Sequence, residues 1–319
     1  MLILNQKQIE SLLSRSEVLE AIEKAFNVFH EGNFNMPDRM HAHYDDITLL
    51  LMPCFTSQYF GTKLVSVNPK NQTIGKPSIY GNMILNDSET GEPLALLNGA
   101  ALTAIRTGAV GATGMKYISK ETSESIGIIG TGIQGFTQAL FACAVRPVKR
   151  INVFDLNDKK LSDFINKLQD KLPEIEIHAM NSSEELVYES EIIVCATSSE
   201  NPVIPNDPNL LKDKCFIGIG SYQPNMREFP DALFSQITKV WVDTPFAAKE
   251  SGDIATPLEN NLLLENQVNT ISNLIANKQY DQTGTTFFKS VGMALFDVVV
   301  AEYLYKKAIK ENIGTQADL

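Results

Sequence analysis

Cysteine is scarce in this chain: four residues in 319, Cys54, Cys143, Cys195 and Cys215, widely scattered and with no C-x-x-C pair. Such spacing excludes a disulfide scaffold and offers no frame for structural zinc, so the thiols read as reduced core side chains of a cytoplasmic protein. Positive charge is also in short supply, with 27 Lys and Arg against 38 Asp and Glu and a formal net charge of −11. A nucleic-acid binder needs a net basic face, and a surface held on anionic lipid needs one too, so neither partner is expected. No apolar run reaches the roughly 20 residues that span a bilayer. The opening MLILNQKQIE lacks the apolar stretch of a secretion signal.

What is present suffices for two domains, at roughly 150 residues each. Ser14-x-x-Glu17 has capping-box spacing, and Leu19, Ile22, Phe26 and Phe29 follow at helical intervals toward a stop at Gly32. Glu20 and Lys24 are spaced for a pair on that helix. From about Met36 to Leu97 short apolar runs (Thr48–Met52, Thr62–Val67, Ser78–Leu85, Leu94–Leu97) alternate with turn-rich pieces, which predicts an antiparallel sheet. Gly99 to Ser119 is crowded with Ala and Gly, a buried helix against which another backbone can pack closely. Beyond Ser123, bare apolar runs at Ser125–Ile129, Ile151–Phe154, Ile175–Ala179, Ile192–Ala196, Phe216–Ile219 and Val240–Val242 alternate with helical stretches such as Asp158–Leu172. Strands buried on both faces read this way, so the second half is a doubly wound α/β domain with a parallel sheet, of Rossmann type. Val291 to Ile309 reads as a helix, and the tail ENIGTQADL is expected to fray.

After the strand SIGII comes Gly130-Thr131-Gly132-Ile133-Gln134-Gly135, and then the helical FTQALFACAV. In this strand–turn–helix setting G-x-G-x-x-G is a dinucleotide fingerprint. Its first glycine makes the turn, its second lets the pyrophosphate approach, and its third lets helix and strand pack. Asp155 closes the next strand, twenty residues past Gly135, where a carboxylate holds ribose hydroxyls and repels a 2′-phosphate. NAD is therefore favoured, while Lys159 and Lys160 nearby keep NADP open. Ligands sit outside the carboxyl ends of parallel strands, which adds Thr197 with Ser198, and Gly220 with Ser221, as candidates. Simple turn chemistry is their alternative reading.

Three cations of the first half stand in unusual company. Lys63 lies inside the strand GTKLVSV, Arg106 inside the small-residue helix, and Arg39 in the turn MPDRMH. A charge among Ala, Ile, Gly and Val is partly desolvated and needs an anionic partner, which a substrate carboxylate or a cofactor phosphate would provide; a snorkelling or salt-bridged cation at a sheet edge is the alternative reading of all three. His41 and His43 read as surface or packed side chains.

These motifs together resemble the ornithine cyclodeaminase/μ-crystallin family, which includes ketimine reductases, a type of alanine dehydrogenase and Δ1-pyrroline-2-carboxylate reductases. The resemblance rests on MPDR at 36–39, GTKLVSVNPKN at 61–71, GKPSIYGNMILND-x-x-TG at 75–91 and AIRTGAVG at 104–111. It continues through IGTGIQG at 129–135, GIGSYQPNMREFP at 218–230 and FKSVGMALFDVVVA at 288–301. It implies a substrate-binding and dimerisation domain over 1–118, completed by a C-terminal helix within 293–319, an NAD(P)-binding domain over 119–292, and a homodimer. It further implies that Arg39, Lys63 and Arg106 hold the substrate carboxylate or polarise its reacting group. Ser78, Arg106, Thr107, Gly132, Ile133, Gln134, Asp155, Thr197, Ser221 and Val291 match cofactor-contact positions.

One departure bears on the reaction. Cyclodeaminases of the family carry an Asp in the loop after the Phe216–Gly220 strand. Here the loop reads Gly220-Ser221-Tyr222-Gln223-Pro224, with Tyr222 in that place and Glu228 and Asp231 too far on to match. A tyrosine, with pKa near 10, is a poor base at neutral pH. The expected activity is therefore NAD(P)H-dependent reduction of a cyclic imino acid, Δ1-pyrroline-2-carboxylate to L-proline. Ornithine cyclodeaminase, alanine dehydrogenase and a crystallin-like nucleotide-binding protein are the alternatives.

Overall fold

The computed structural model describes residues 1–318. In chain order the first elements are β1 (Leu2–Leu4), α1 (Gln6–Ser11), α2 (Arg15–Glu31), β2 (Met40–Tyr44), β3 (Ile47–Phe55), β4 (Tyr59–Val67), β5 (Ile79–Asp87), β6 (Pro93–Asn98) and α3 (Gly99–Ile118). Next come β7 (Ser125–Ile129), α4 (Ile133–Val145), β8 (Arg150–Phe154), α5 (Asp158–Lys171), β9 (Glu176–Ala179), α6 (Ser183–Tyr188), β10 (Ile192–Cys195) and β11 (Cys215–Gly218). The chain continues with α7 (Asp231–Phe234), β12 (Val240–Val242), α8 (Ala247–Glu250), α9 (Gly252–Glu259), β13 (Val268–Thr270), α10 (Ser272–Ala276) and β14 (Thr286–Lys289). It ends with α11 (Ala294–Glu311) and β15 (Thr315–Gln316). Two compact units result, Met1–Arg106 with Met293–Leu319, and Thr107–Gly292.

In the first unit a seven-stranded sheet runs β15-β1-β6-β5-β4-β3-β2, antiparallel except for β1 beside β6. One face packs on α11, which in turn packs against α2. Helix α2 starts at Ser14, whose hydroxyl accepts from the Glu17 amide, and stops at Gly32 in the left-handed conformation (φ +73°). It buries Val18, Ala21, Ile22, Ala25 and Phe26, and Phe26 meets Phe296 of α11 edge-on at 4.9 Å. Lys24 does not pair with Glu20. It reaches Glu302 of α11 at 3.0 Å, a partner that only tertiary structure could supply. The tail does not fray as expected: Thr315 and Gln316 form β15 against Ile3 and Leu2. Strand β2, which carries His41 and His43, was not foreseen.

The opposite face of this sheet is open and apolar. Met40, Tyr44, Ile47, Leu49 and Tyr80 are exposed there. Alternation along the strands and cross-strand register place half-buried Leu51, Leu64, Ile84, Leu96 and Ile3 on the same side.

In the second unit eight strands form a wholly parallel sheet in the order β13-β12-β14-β11-β10-β7-β8-β9. The chain leaves β7 outward through β8 and β9, then returns to β10 on the other side of β7. The topological switch point therefore lies between β7 and β10. Helix α3 lays Gly108, Gly111 and Gly114 along one stripe of this unit. The expectation was a packed backbone, but the stripe mainly receives side chains. A Cβ at Gly111 would fall 2.0 Å from Gln138 Oε1, and one at Gly114 would fall 2.3 Å from Phe288 Cδ1. All four cysteines are free, and burial pushes the Cys215 thiol up to about 12.

Phe26 is fully buried between helices, so Phe26→Ala leaves a cavity that cannot close. We expect a loss of about 3–5 kcal/mol of unfolding free energy, read from urea melts followed by circular dichroism.

Candidate active site

In the first unit the antiparallel strand β4 alternates its side chains, and Lys63 falls on the face turned toward α11. It is 2% exposed, and its Nζ lies 2.8 Å from Oδ2 of Asp297 in α11. Arg106 of α3, also buried, donates from Nε to Oδ1 of the same carboxylate at 3.0 Å. One aspartate thus joins residues that stand 191 and 234 positions away in the sequence. Asp297 meets Arg106 through Nε alone, which leaves the terminal nitrogens of the guanidinium fork for a planar anion. Half-buried Arg39, just ahead of β2, adds its field to the same place.

Two cations share one anion, so the cluster keeps one positive charge in excess. Burial drives the Lys63 ammonium down, Asp297 pulls it partly back, and Arg106 and Arg39 oppose Asp297; the pKa settles at about 8. Burial likewise works against ionisation of Asp297, but the charges of Lys63 and Arg106 outweigh it and hold the carboxyl below its usual range. The anionic partner that desolvation demanded is therefore supplied first by the chain itself, which is the salt-bridged alternative for Lys63 and Arg106.

In the second unit the loop between β7 and α4 has the geometry its glycines suggested. Gly130 takes φ +102°, and a Cβ at Gly135 would sit 2.1 Å from the Gly130 carbonyl oxygen. Gly132 caps α4 with no side chain, and nothing stands within 4 Å of where its Cβ would be. Ile133 beside it is exposed, and the buried Oε1 of Gln134 has no hydrogen-bond partner. An open helix N-terminus with an orphaned acceptor fits a pyrophosphate with hydroxyl-bearing neighbours. Asp155, at the end of β8, accepts from the Thr131 amide (2.8 Å) and hydroxyl (2.7 Å) through Oδ2, and from the Asn157 amide (2.9 Å) through Oδ1. Oδ1 can take a second donor such as a ribose hydroxyl. Burial acts against its charge, but the Thr131 and Asn157 bonds prevail and its pKa is lowered, so it meets a ligand as a carboxylate.

The remaining candidates divide. Thr197 and Ser198 follow β10, Gly220 and Ser221 follow β11, and Val291 follows β14, all at the carboxyl edge of the parallel sheet. Ser198 is exposed, whereas Ser221 is wholly buried. Its hydroxyl donates to the Met226 carbonyl at 2.7 Å and meets Ser251 Oγ at 2.7 Å, so it faces its own chain. The Val291 amide is held on Asp243, together with the Ser290 hydroxyl and the Gly292 amide. In α3 the Thr107 carbonyl accepts from Gln138, one residue beyond Arg106. Ser78, beside β5 in the first unit, has a buried hydroxyl with no hydrogen-bond partner. Asp297, Asp243, Glu228, Asp253 and Lys289 escaped sequence reasoning. For Asp297 in FDVVV and Lys289 in FFKS the signal was the one that marked Lys63, a charge inside an apolar run. Among the described residues no group of His, Cys, Asp and Glu could hold a metal ion.

A dinucleotide cradle on a parallel sheet, in a chain whose other unit seals a cationic cluster, defines the class of nucleotide-dependent enzymes acting on small anionic substrates. The ornithine cyclodeaminase/mu-crystallin family model matches residues 1–312, and the chain belongs to that family. A Δ1-pyrroline-2-carboxylate reductase of Bacillus cereus is 32% identical over 330 aligned positions covering all of both chains. The structure of the Thermococcus litoralis Δ1-pyrroline-2-carboxylate reductase, in complex with NADH and L-proline, superposes with a TM-score of 0.92 at 31% identity, covering 99% of this chain and 100% of that one. An archaeal alanine dehydrogenase dimer with bound NAD gives 0.91 at 28% identity, covering 100% and 99%.

Removing the shared anion leaves two buried cations facing each other. Asp297→Ala is expected to cost about 3–5 kcal/mol of stability in denaturant melts, far more than the loss of a surface pair.

Proposed function

We propose that this protein is a reductase of cyclic α-imino acids that converts Δ1-pyrroline-2-carboxylate to L-proline with NADH as the reductant and NADPH as a poorer one. The observation that carries the reading is the Lys63–Asp297–Arg106 cluster, sealed from water and one positive charge in excess. Full-length similarity to the Bacillus cereus and Thermococcus litoralis reductases supports it. Tyr222, 45% exposed, stands where cyclodeaminases of the family carry an acid, which weighs against ornithine as the substrate.

The bound dinucleotide supplies the hydride that adds to the imine carbon. Arg106 and Arg39 take the substrate carboxylate, whose single negative charge matches the excess of the cluster. Lys63 delivers its proton to the imine nitrogen as the C=N bond is reduced, so imine, hydride and one proton give the secondary amine. A free lysine near 10.5 would part with that proton reluctantly, whereas one near 8 is charged at neutral pH and acidic enough to share it. The carboxylate of Asp155 disfavours a 2′-phosphate. Gly130, Gly132, Ile133, Gln134 and Gly135 would cradle the pyrophosphate, with further cofactor contacts from Ser78, Thr107, Thr197, Ser221 and Val291, as the family resemblance implies, and from Ser198 and Gly220 at the strand ends. Ser221 would serve through its backbone, since its hydroxyl is turned inward.

The substrate domain would span 1–118 with 293–319 and the NAD(P) domain 119–292. The open apolar face of the first sheet suits a second copy of this chain, because exposed apolar area of that extent is rarely left uncovered. That the similar archaeal alanine dehydrogenase is a dimer supports a dimer here. Four free thiols suit the reducing cytoplasm.

Purified protein should oxidise NADH with Δ1-pyrroline-2-carboxylate, faster than with pyruvate and ammonia, and should release no ammonia from ornithine. A preference for pyruvate with ammonia would make it an alanine dehydrogenase. Lys63→Met should lower kcat by at least ~10²-fold. The wild-type rate should fall as pH rises through about 8, because the proton donor is then lost. Leu49→Asp, on the open sheet face, should convert a dimer into a particle of 35.3 kDa by light scattering.

A further inference from the structure

Beneath the carboxyl edge of the parallel sheet lie three ionisable side chains with no exposure at all, Glu228, Asp253 and Lys289. Glu228 sits in the loop between β11 and α7 and spans two strand exits at once. Its Oε1 accepts from the amide (2.7 Å) and hydroxyl (2.8 Å) of Thr197, which follows β10. Its Oε2 accepts from the amides of Gly220 (2.9 Å) and Ser221 (3.0 Å), which follow β11. The amides of Glu228 and Phe229 in turn donate to Asp253 Oδ1 at 2.7 and 3.0 Å. Lys289, the last residue of β14, places Nζ 3.1 Å from Asp253 Oδ2 and 3.9 Å from Glu228 Oε2.

The strand exits that Glu228 joins adjoin the glycine loop. A Cβ on Gly130 would stand 2.7 Å from the Ala196 carbonyl oxygen and 3.0 Å from Thr197 Cγ2, and one on Gly220 would stand 2.0 Å from the Thr197 carbonyl oxygen. The ends of β7, β10 and β11 therefore form one row of close contacts, with Thr197 in the middle. We propose that Glu228 is the positioning residue of the dinucleotide site: its carboxylate bolts the exits of β10 and β11 into a fixed ledge beside the phosphate-binding loop, with Lys289 and Asp253 as its buried counter-charges. This rests on the assignment of the second unit to NADH.

The chemistry requires a carboxylate. Four donors converge on two oxygens, and only an acceptor on both sides satisfies them. Glutamine has the same shape but offers one oxygen and one NH2, so either the Thr197 donors or the Gly220 and Ser221 amides would meet another donor. One exit would then come loose while the other stayed held. Such a site carries a desolvation cost, which a purely structural joint between two loops would avoid with apolar side chains.

The test is NADH binding to the full-length protein, followed by nicotinamide fluorescence, in wild type and Glu228→Gln with thermal melts alongside. Folded Glu228→Gln should bind NADH about tenfold or more weakly, with KM for NADH raised and kcat at saturating NADH kept within a few fold. Affinity within twofold of wild type in the folded variant would overturn the proposal. So would a fall in kcat with KM for NADH unchanged. Should the variant not fold, amide exchange in the wild type decides. Thr197, Gly220 and Ser221 should exchange as slowly as the strands they follow, and rapid exchange there refutes the bolt. A wild type that does not bind NADH would instead refute the cofactor assignment itself, whatever Glu228 does.

Discussion

A charge taken out of water and left alone costs more than most folds have to spare, so each ionised group sealed inside this protein has to be answered by another. Asp297 is the plainest case. Lys63 comes from a strand and Arg106 from a helix, and neither could be buried without a carboxylate reaching both. The aspartate on α11 answers both with one charge left over, and the proposed function rests on that imbalance. With a second acid Lys63 and Arg106 would both be fully answered within the chain. Without Asp297 the two cations would repel, and the Lys63 ammonium would be pushed down further.

The second unit answers the same constraint with the opposite excess. Two acids and one lysine leave a negative balance, offset by backbone amides that converge on Glu228 and Asp253. Amides and hydroxyls are fixed by the fold, so a charge held this way also fixes the loops that carry them. Asp243, gathering Ser290, Val291 and Gly292 after β14, repeats the device at a neighbouring strand end. The carboxyl edge of the sheet, where a parallel α/β domain binds its ligands, is thus braced from below by carboxylates.

Much of this was legible in the sequence where a local rule suffices. The glycine loop is governed by steric limits that act over six residues, and Gly130 and Gly135 meet them as their spacing indicated. The caps of α2 at Ser14 and Gly32 are similarly local. Strands β7, β8, β10, β11 and β12 could be read from bare apolar runs. Strand β14, in the middle of the same sheet, could not, because it ends in Lys289 and a charge in so short a run argues against a buried strand. The partner that makes it possible, Asp253, has no sequence signal at all. The same holds for β1 and β15, two short segments from the ends of the chain that exist only because they pair with each other and with β6. Asp297 stood in the apolar run FDVVV and could have been set beside Lys63 and Arg106 by the argument applied to them. What the sequence could not state is which anion answers which cation.

That pairing also bears on substrate choice. The cluster is completed by one negative charge presented beside a group that can accept a proton, and an α-imino acid carries both on adjacent atoms. A simple ketone lacking a carboxylate would leave the excess positive charge sealed with no partner. The preference thus follows from counting charges in a dry space, where each unmatched one weighs far more than it would in water. Ring size is a separate matter, because in the proposed reaction Lys63 and Arg106 would address only the imine and its carboxylate. Discrimination among cyclic imines therefore has to come from apolar walls, where a methylene is worth only about 1–3 kcal/mol, and the charge cluster fixes the class of substrate more sharply than the member of it.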